Sequence, residues 1–131
     1  MRSFLKIMVR AFFQKPSEKT WKALIEGFEE VVKIVTIAPE MDGAINLIHT
    51  LTDMGIVASL GHSDATYTKA EEAFHAGAKG ITHLFNAMRG IHHREPGLAG
   101  FGLMNPHIFV EVIADPFHLH RQTVELIFKI K

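Results

Sequence analysis

Two histidines stand where a metal could be held. His62 follows the apolar run Ile56-Val57-Ala58-Ser59-Leu60, and His83 follows Gly80-Ile81-Thr82. Each run has the composition of a short buried strand, and a helical pattern separates them. Strand, helix, strand in this order makes neighbouring parallel strands, so both imidazoles arrive at the same end of the sheet. That end is where open α/β sheets and (β/α)₈ barrels carry their sites. A neutral imidazole nitrogen is a good ligand for zinc and similar divalent ions. The alternative is a pair of core histidines satisfied by hydrogen bonds. Placement in register at two successive strands favours the metal.

Composition narrows the partners. The chain has 131 residues, enough for one modest domain, and no break in composition divides it, so residues 1–131 are expected to form a single unit. Fourteen basic residues balance 14 acidic ones with no long run of either sign, which argues against nucleic acid or an anionic membrane as partner. No apolar run is long enough to span a bilayer. Residues 1–9 lack a long apolar core and a small-residue cleavage site, so no secretory signal is expected. Without cysteine there is no disulfide or thiolate chemistry, and a cytoplasmic setting fits. Nine histidines, most of them beyond residue 80, point to metal or proton chemistry instead.

The elements that position the histidines can be read in order. Ser17 and Glu18 after Pro16 signal a helix start, with Trp21, Leu24, Ile25 and Phe28 as one apolar stripe. Residues 31–38 are almost continuously apolar and β-branched, the pattern of a strand buried on both faces. Asp42 is expected to cap a helix that buries Ala44, Leu47, Ile48 and Leu51 and stops at Gly55. Strand 56–60 follows, then a helix over 66–76 with Thr68 and Glu71 at capping-box spacing and Gly77 at its end. Strand 80–83 leads into a loop over 84–106, long enough to expect a functional role. Strand 108–114 reaches Asp115, and a last helix turns Val124, Ile127 and Phe128 inward. The expected fold class is therefore α/β, with about four parallel strands and flanking helices. A complete (β/α)₈ barrel takes about 250 residues, so this is a partial TIM barrel, about half of one.

Four motifs carry a resemblance. Thr36-Ile37-Ala38-Pro39-Glu40, Gly61-His62-Ser63-Asp64-Ala65-Thr66, Thr82-His83-Leu84-Phe85-Asn86-Ala87-Met88 and His93-Arg94-Glu95-Pro96-Gly97-Leu98-Ala99-Gly100 closely resemble the N-acetylglucosamine-6-phosphate deacetylase family. That family belongs to the amidohydrolase superfamily of metal-dependent barrels, and the likeness runs over residues 15–131, a central fragment of the barrel. It implies that His62 and His83 bind one divalent metal, zinc or iron. It also implies that Asn86 and Ala87 meet the substrate, and that His118 contacts the sugar. Arg94 would grip the phosphate of a phosphorylated amino sugar from the neighbouring subunit of a homodimer, a task that suits the two-pronged guanidinium. The implied reaction is hydrolysis of the acetamide of N-acetylglucosamine 6-phosphate to glucosamine 6-phosphate and acetate. Glu40 ends a strand, but the family's ligand glutamate lies further upstream, so Glu40 is expected to be structural or to support a ligand.

The departures are equally specific. The family's ligand glutamate precedes a segment whose best counterpart is Arg2-Ser3-Phe4-Leu5, which places Met1 at the glutamate position. Ala11-Phe12-Phe13 stands where a substrate histidine is expected. Asp115-Pro116-Phe117-His118 replaces an Asp-Gly-x-His pattern, and proline cannot copy a glycine with positive φ. The superfamily's His-x-His strand and the aspartate that serves as general base have no counterpart in the chain. Asp115, His93 and His120 are the candidates for a third ligand. The expectation is a chain that is inactive alone, with a non-catalytic half-barrel or one piece of a split enzyme as the alternative.

Overall fold

The computed structural model describes residues 18–28 and 30–131. The expectations that rest on Met1, residues 2–13 and the Ser17 cap lie outside the described residues. In chain order the elements are α1 (Glu18–Ile25), β1 (Ile34–Ile37), α2 (Ala44–Asp53), β2 (Val57–Leu60), α3 (Tyr67–His75), β3 (Gly80–Ile81), α4 (Gly97–Met104), β4 (Phe109–Val110) and α5 (Arg121–Ile130). The four strands form one sheet in the order β1-β2-β3-β4, all pairs parallel. The strands lie where the apolar runs place them, but each is shorter than expected.

The two faces of the sheet differ. Ile37, Leu60, Ile81 and Val110 are register neighbours and lie in or against the main core. Ala44, Leu47, Ile48 and Leu51 of α2, Ala70 and Ala73 of α3 and most of α4 belong to that core. The opposite face carries Thr36, Ser59, Gly80 and Phe109 in register. There Ile34 is 56%, Val57 37% and Phe109 77% exposed while Ser59 is buried, so the described residues cover this layer only in part. A short hydroxyl ladder crosses it: Thr82 Oγ1 lies 2.8 Å from Ser59 Oγ and 3.0 Å from Thr36 Oγ1. The expectation that β1 is buried on both faces fails for this reason. Only Ile37 is buried, because one face has no helix on it and the described residues pair β1 on one side alone.

Other boundaries move for local reasons. In α1, Trp21 and Ile25 are buried, but Leu24 and Phe28 are exposed. The helix ends at Ile25 and Gly27 (φ 81°) turns the chain, which takes Phe28 off the helical stripe. Gly43, not Asp42, begins α2, in the left-handed region with no side-chain cap. In α3 the Thr66 side chain accepts from the Lys69 N–H at 3.2 Å, so the cap sits ahead of the expected Thr68–Glu71 box. In α5 Ile127 is buried and Val124 partly so, whereas Phe128 points outward.

The largest correction is α4, which lies inside the expected 84–106 loop. It buries every residue from Gly97 to Leu103, so it has no polar face and no amphipathic period to read. Its glycines lower helix propensity but permit contact. A Cβ at Gly102 would stand 2.6 Å from Ile81 Cδ1 and 3.2 Å from Leu84 Cδ1, so any larger residue would have to displace the ends of those two side chains for the helix to rest this close to β3. Just before α4, one oxygen of Glu95 serves two helices: Oε1 accepts from Tyr67 N at 2.7 Å in α3 and from Gly97 N at 2.9 Å in α4.

These two backbone N–H groups hold the Glu95 carboxyl below its ordinary pKa, with Arg89 adding a smaller contribution. A carboxylate whose pKa is depressed by folding stabilises the fold above its unfolded pKa and loses that contribution as pH falls through the folded value. Stability of the chain is therefore expected to decline as pH drops below about 4.5. Glu95→Gln should flatten that acid limb in urea titrations run across pH. An acid limb identical in wild type and Glu95→Gln would show that the double cap contributes nothing.

Candidate metal centre

The centre forms where β2 and β3 end. Among the described residues, the non-glycine positions with left-handed backbone are His62 (φ 49°), His83 (φ 38°), Phe85 (φ 73°) and Ala87 (φ 47°). All four lie in the two segments that leave these strands. Such conformations cost side chains of the order of 1 kcal/mol or more each and persist only where the surroundings fix them, so they gather at functional sites. Here they stop both strands early and turn the two imidazoles toward each other. His62 Nε2 and His83 Nε2 are 2.9 Å apart, with the rings edge to face at 77°.

Two unprotonated Nε2 atoms on one tetrahedral zinc ion would be about 3.3 Å apart, given Zn–N bonds of about 2.0–2.1 Å. The observed separation is a little shorter, as expected when one ring donates a proton to the other. Burial, and then the nearby His83, lower the pKa of His62 and favour its neutral, ligating form. His83 Nδ1 is buried and has no hydrogen-bond partner among the described residues. The donor chemistry and convergence of this pair fit a divalent ion.

The other sequence-derived residues are placed less closely. Asn86 and Ala87 lie on the segment after His83: Asn86 N donates to His83 O at 2.9 Å, and Ala87 O accepts from Ser63 N at 3.0 Å. Arg94 is exposed, its backbone N–H donating to His92 Nδ1 at 3.2 Å. His118 follows β4 and is held by Asp115, whose carboxylate oxygens both lie 2.9 Å from His118 Nδ1. The His118 side chain and two backbone N–H groups keep Asp115 readily ionised, below its usual range. The described residues contain no group of three or more His, Asp or Glu side chains suited to a metal. Asp115, His93 and His120 therefore do not join the pair as a third ligand, a correction to the sequence reading.

Sequence reasoning gave Glu40 a structural or ligand-supporting role but missed its partners and the rest of the scaffold between the two histidine segments. Ser63 pairs with Met88 in a parallel bridge, Ser63 N donates to Ala87 O, and Arg89 N donates to Ser63 O at 3.0 Å. Arg89 also grips Asp64 through Nε at 2.9 Å and Nη2 at 2.8 Å. Glu40, at the end of β1, accepts from Ser63 Oγ and from Asp64 N. The available signal was that Glu40, Asp64 and Arg89 each lie within three residues of a strand end or a histidine.

No protein-family model matches the chain. It is 51% identical over 92 residues to N-acetylglucosamine-6-phosphate deacetylase from Vibrio furnissii, covering 70% of this chain and 23% of that protein. It is 41% identical over 103 residues to N-acetylgalactosamine-6-phosphate deacetylase from Escherichia coli O157:H7, covering 79% of this chain and 27% of that protein. The fold matches a Mycobacterium smegmatis N-acetyl-D-glucosamine-6-phosphate deacetylase variant, solved in complex with N-acetyl-D-glucosamine-6-phosphate, with a TM-score of 0.86 and 39% identity. That match covers 89% of this chain and 31% of the solved one. The chain thus spans about a quarter to a third of the length of these relatives. Among the described residues no helix is long and apolar enough to cross a membrane. With its four parallel βα units and its matching sequence, the chain is a relative of one segment of the N-acetylglucosamine-6-phosphate deacetylases, a partial (β/α)₈ barrel of the amidohydrolase type.

Proposed function

We propose that this chain supplies two ligands and part of the substrate pocket of a metal-dependent deacetylase acting on a phosphorylated N-acetyl amino sugar, in a cytoplasmic setting. The observation that carries the reading is the 2.9 Å approach of His62 Nε2 to His83 Nε2 at the ends of adjacent parallel strands. A divalent ion held there, zinc or iron, would contribute Lewis-acid polarisation of the acetamide carbonyl and a more acidic bound water. The chain's own residues bind and orient. His62 and His83 present their Nε2 atoms at 2.9 Å from each other, and Asn86 and Ala87 line the turn beside them. Arg94 receives the phosphate, reaching it across a homodimer, and His118, oriented by Asp115, faces the sugar. The net reaction breaks the amide C–N bond and adds water across it, yielding acetate and the free amino sugar phosphate.

Titration of the zinc-loaded protein with N-acetylglucosamine 6-phosphate and with N-acetylglucosamine tests this reading. The phosphorylated sugar should bind at least about 10-fold more tightly, since charge-assisted bonds to phosphate exceed neutral ones. Arg94→Ala should remove that difference. Equal binding of both sugars by the wild-type protein would contradict a phosphosugar site.

A second reading, self-association of a half-barrel, is favoured by the exposed apolar side chains of Ile34, Val57 and Phe109 on one face of the sheet. Apolar burial is worth roughly 25 cal/mol per Å², and such a face favours contact with another copy. Light scattering should give a mass above the monomer at micromolar concentration, and Phe109→Asp should shift it toward the monomer. A monomer mass for the wild-type chain at that concentration would end this reading.

A further inference from the structure

We propose that Glu40 is a positioning residue for the metal centre, holding His62 in its left-handed conformation from the neighbouring strand. The inference rests on the metal reading given above but concerns a residue that donates nothing to the ion. Glu40 lies just past β1, and its two carboxylate oxygens close on consecutive residues behind His62. Oε2 accepts from Ser63 Oγ at 2.6 Å and Oε1 accepts from Asp64 N at 2.7 Å. Both are charge-assisted bonds, which are shorter and stronger than neutral ones.

Ser63 is where these bonds act. It is fully buried, and each of its polar atoms is engaged. Its N–H donates to Ala87 O and its carbonyl accepts from Arg89 N, both on the His83 side. Its hydroxyl donates to Glu40 on the β1 side and accepts from Ala65 N at 3.0 Å. The peptide that follows His62 is therefore held from both flanking strands at once. His62 carries a Cβ at φ 49°, a conformation that the free chain leaves readily. Without Glu40, Ser63 keeps its backbone bonds to the β3 side, and β1 holds this segment through Gly61 N, which donates to Ile37 O at 3.1 Å on the strand side of His62, so the turn after His62 loses its two carboxylate anchors. The imidazole then loses its fixed approach to His83. Outer groups that orient a ligand typically change metal affinity about 10–100-fold when removed.

The test compares wild type, Glu40→Ala and Glu40→Gln with two readouts. The first is zinc affinity by competition with a chelating dye. The second needs no metal: the nuclear Overhauser contact between the His62 and His83 ring protons in the metal-free protein. Glu40→Ala should lose the ring contact and bind zinc about 10–100-fold more weakly, with the remaining amide spectrum preserved. Glu40→Gln keeps one acceptor and should fall between the two, which also decides the matter if Glu40→Ala does not fold. Either variant, folded, with wild-type ring contact and zinc affinity would overturn the proposal. Should the wild type bind no zinc, the metal reading fails alone. The ring contact, lost or kept in the variants, still decides the role of Glu40.

Discussion

His62→Ala and His83→Ala are each expected to abolish specific zinc binding, lowering affinity at least about 100-fold, beyond what an outer supporting residue costs. A site built on two converging nitrogens cannot keep half its affinity when one is removed, because a lone imidazole is no better than any surface histidine. His49→Ala on the exposed side of α2 serves as the control and should bind as the wild type does. Equilibrium dialysis with zinc reads the effect directly. Binding in either site variant equal to that of His49→Ala would mean that the pair does not form the site. Binding should also weaken on acidification, because protons compete for both imidazoles.

The second large effect concerns turnover. The 131-residue chain alone is expected to release no measurable acetate from N-acetylglucosamine 6-phosphate. Catalytic zinc sites use three protein ligands and an open position, and the described residues bring together two. Asp115, a candidate third ligand from the sequence, is engaged by His118 instead. Loss of a general base alone costs about 10²–10⁴-fold, and an incomplete ligand set adds to that. Acetate release measured by coupled assay on zinc-loaded protein decides it. Steady release that disappears in His83→Ala would show that the chain assembles a complete site by itself.

The strand–helix alternation was legible because each strand is an apolar run and α2 and α3 bury one face, the two patterns that periodicity detects. The convergence of His62 and His83 was legible as well, since parallel strands leave their C-terminal residues side by side. Helix α4 was not, because a helix buried all round shows no period and its glycines resemble loop residues. Nor was the exposure of β1, which depends on what covers the sheet and not on the strand's own composition. The clasp from Glu40 to Ser63 and Asp64 joins residues more than 20 positions apart through left-handed turns that no local pattern encodes. The third-ligand candidates failed because proximity in sequence to a strand end does not aim a side chain: Asp115 turns to His118 instead.

The central claim is that one metal ion is shared by His62 and His83, and cobalt titration followed by proton magnetic resonance tests it most directly. A paramagnetic ion shifts the ring protons of every imidazole bound to it. The account predicts that the ring signals of His62 and His83 move to strongly shifted positions together, at one equivalent of cobalt per chain, while those of His49 and His75 stay in place. Shifts in only one of the two rings, or larger shifts at another histidine, would contradict it.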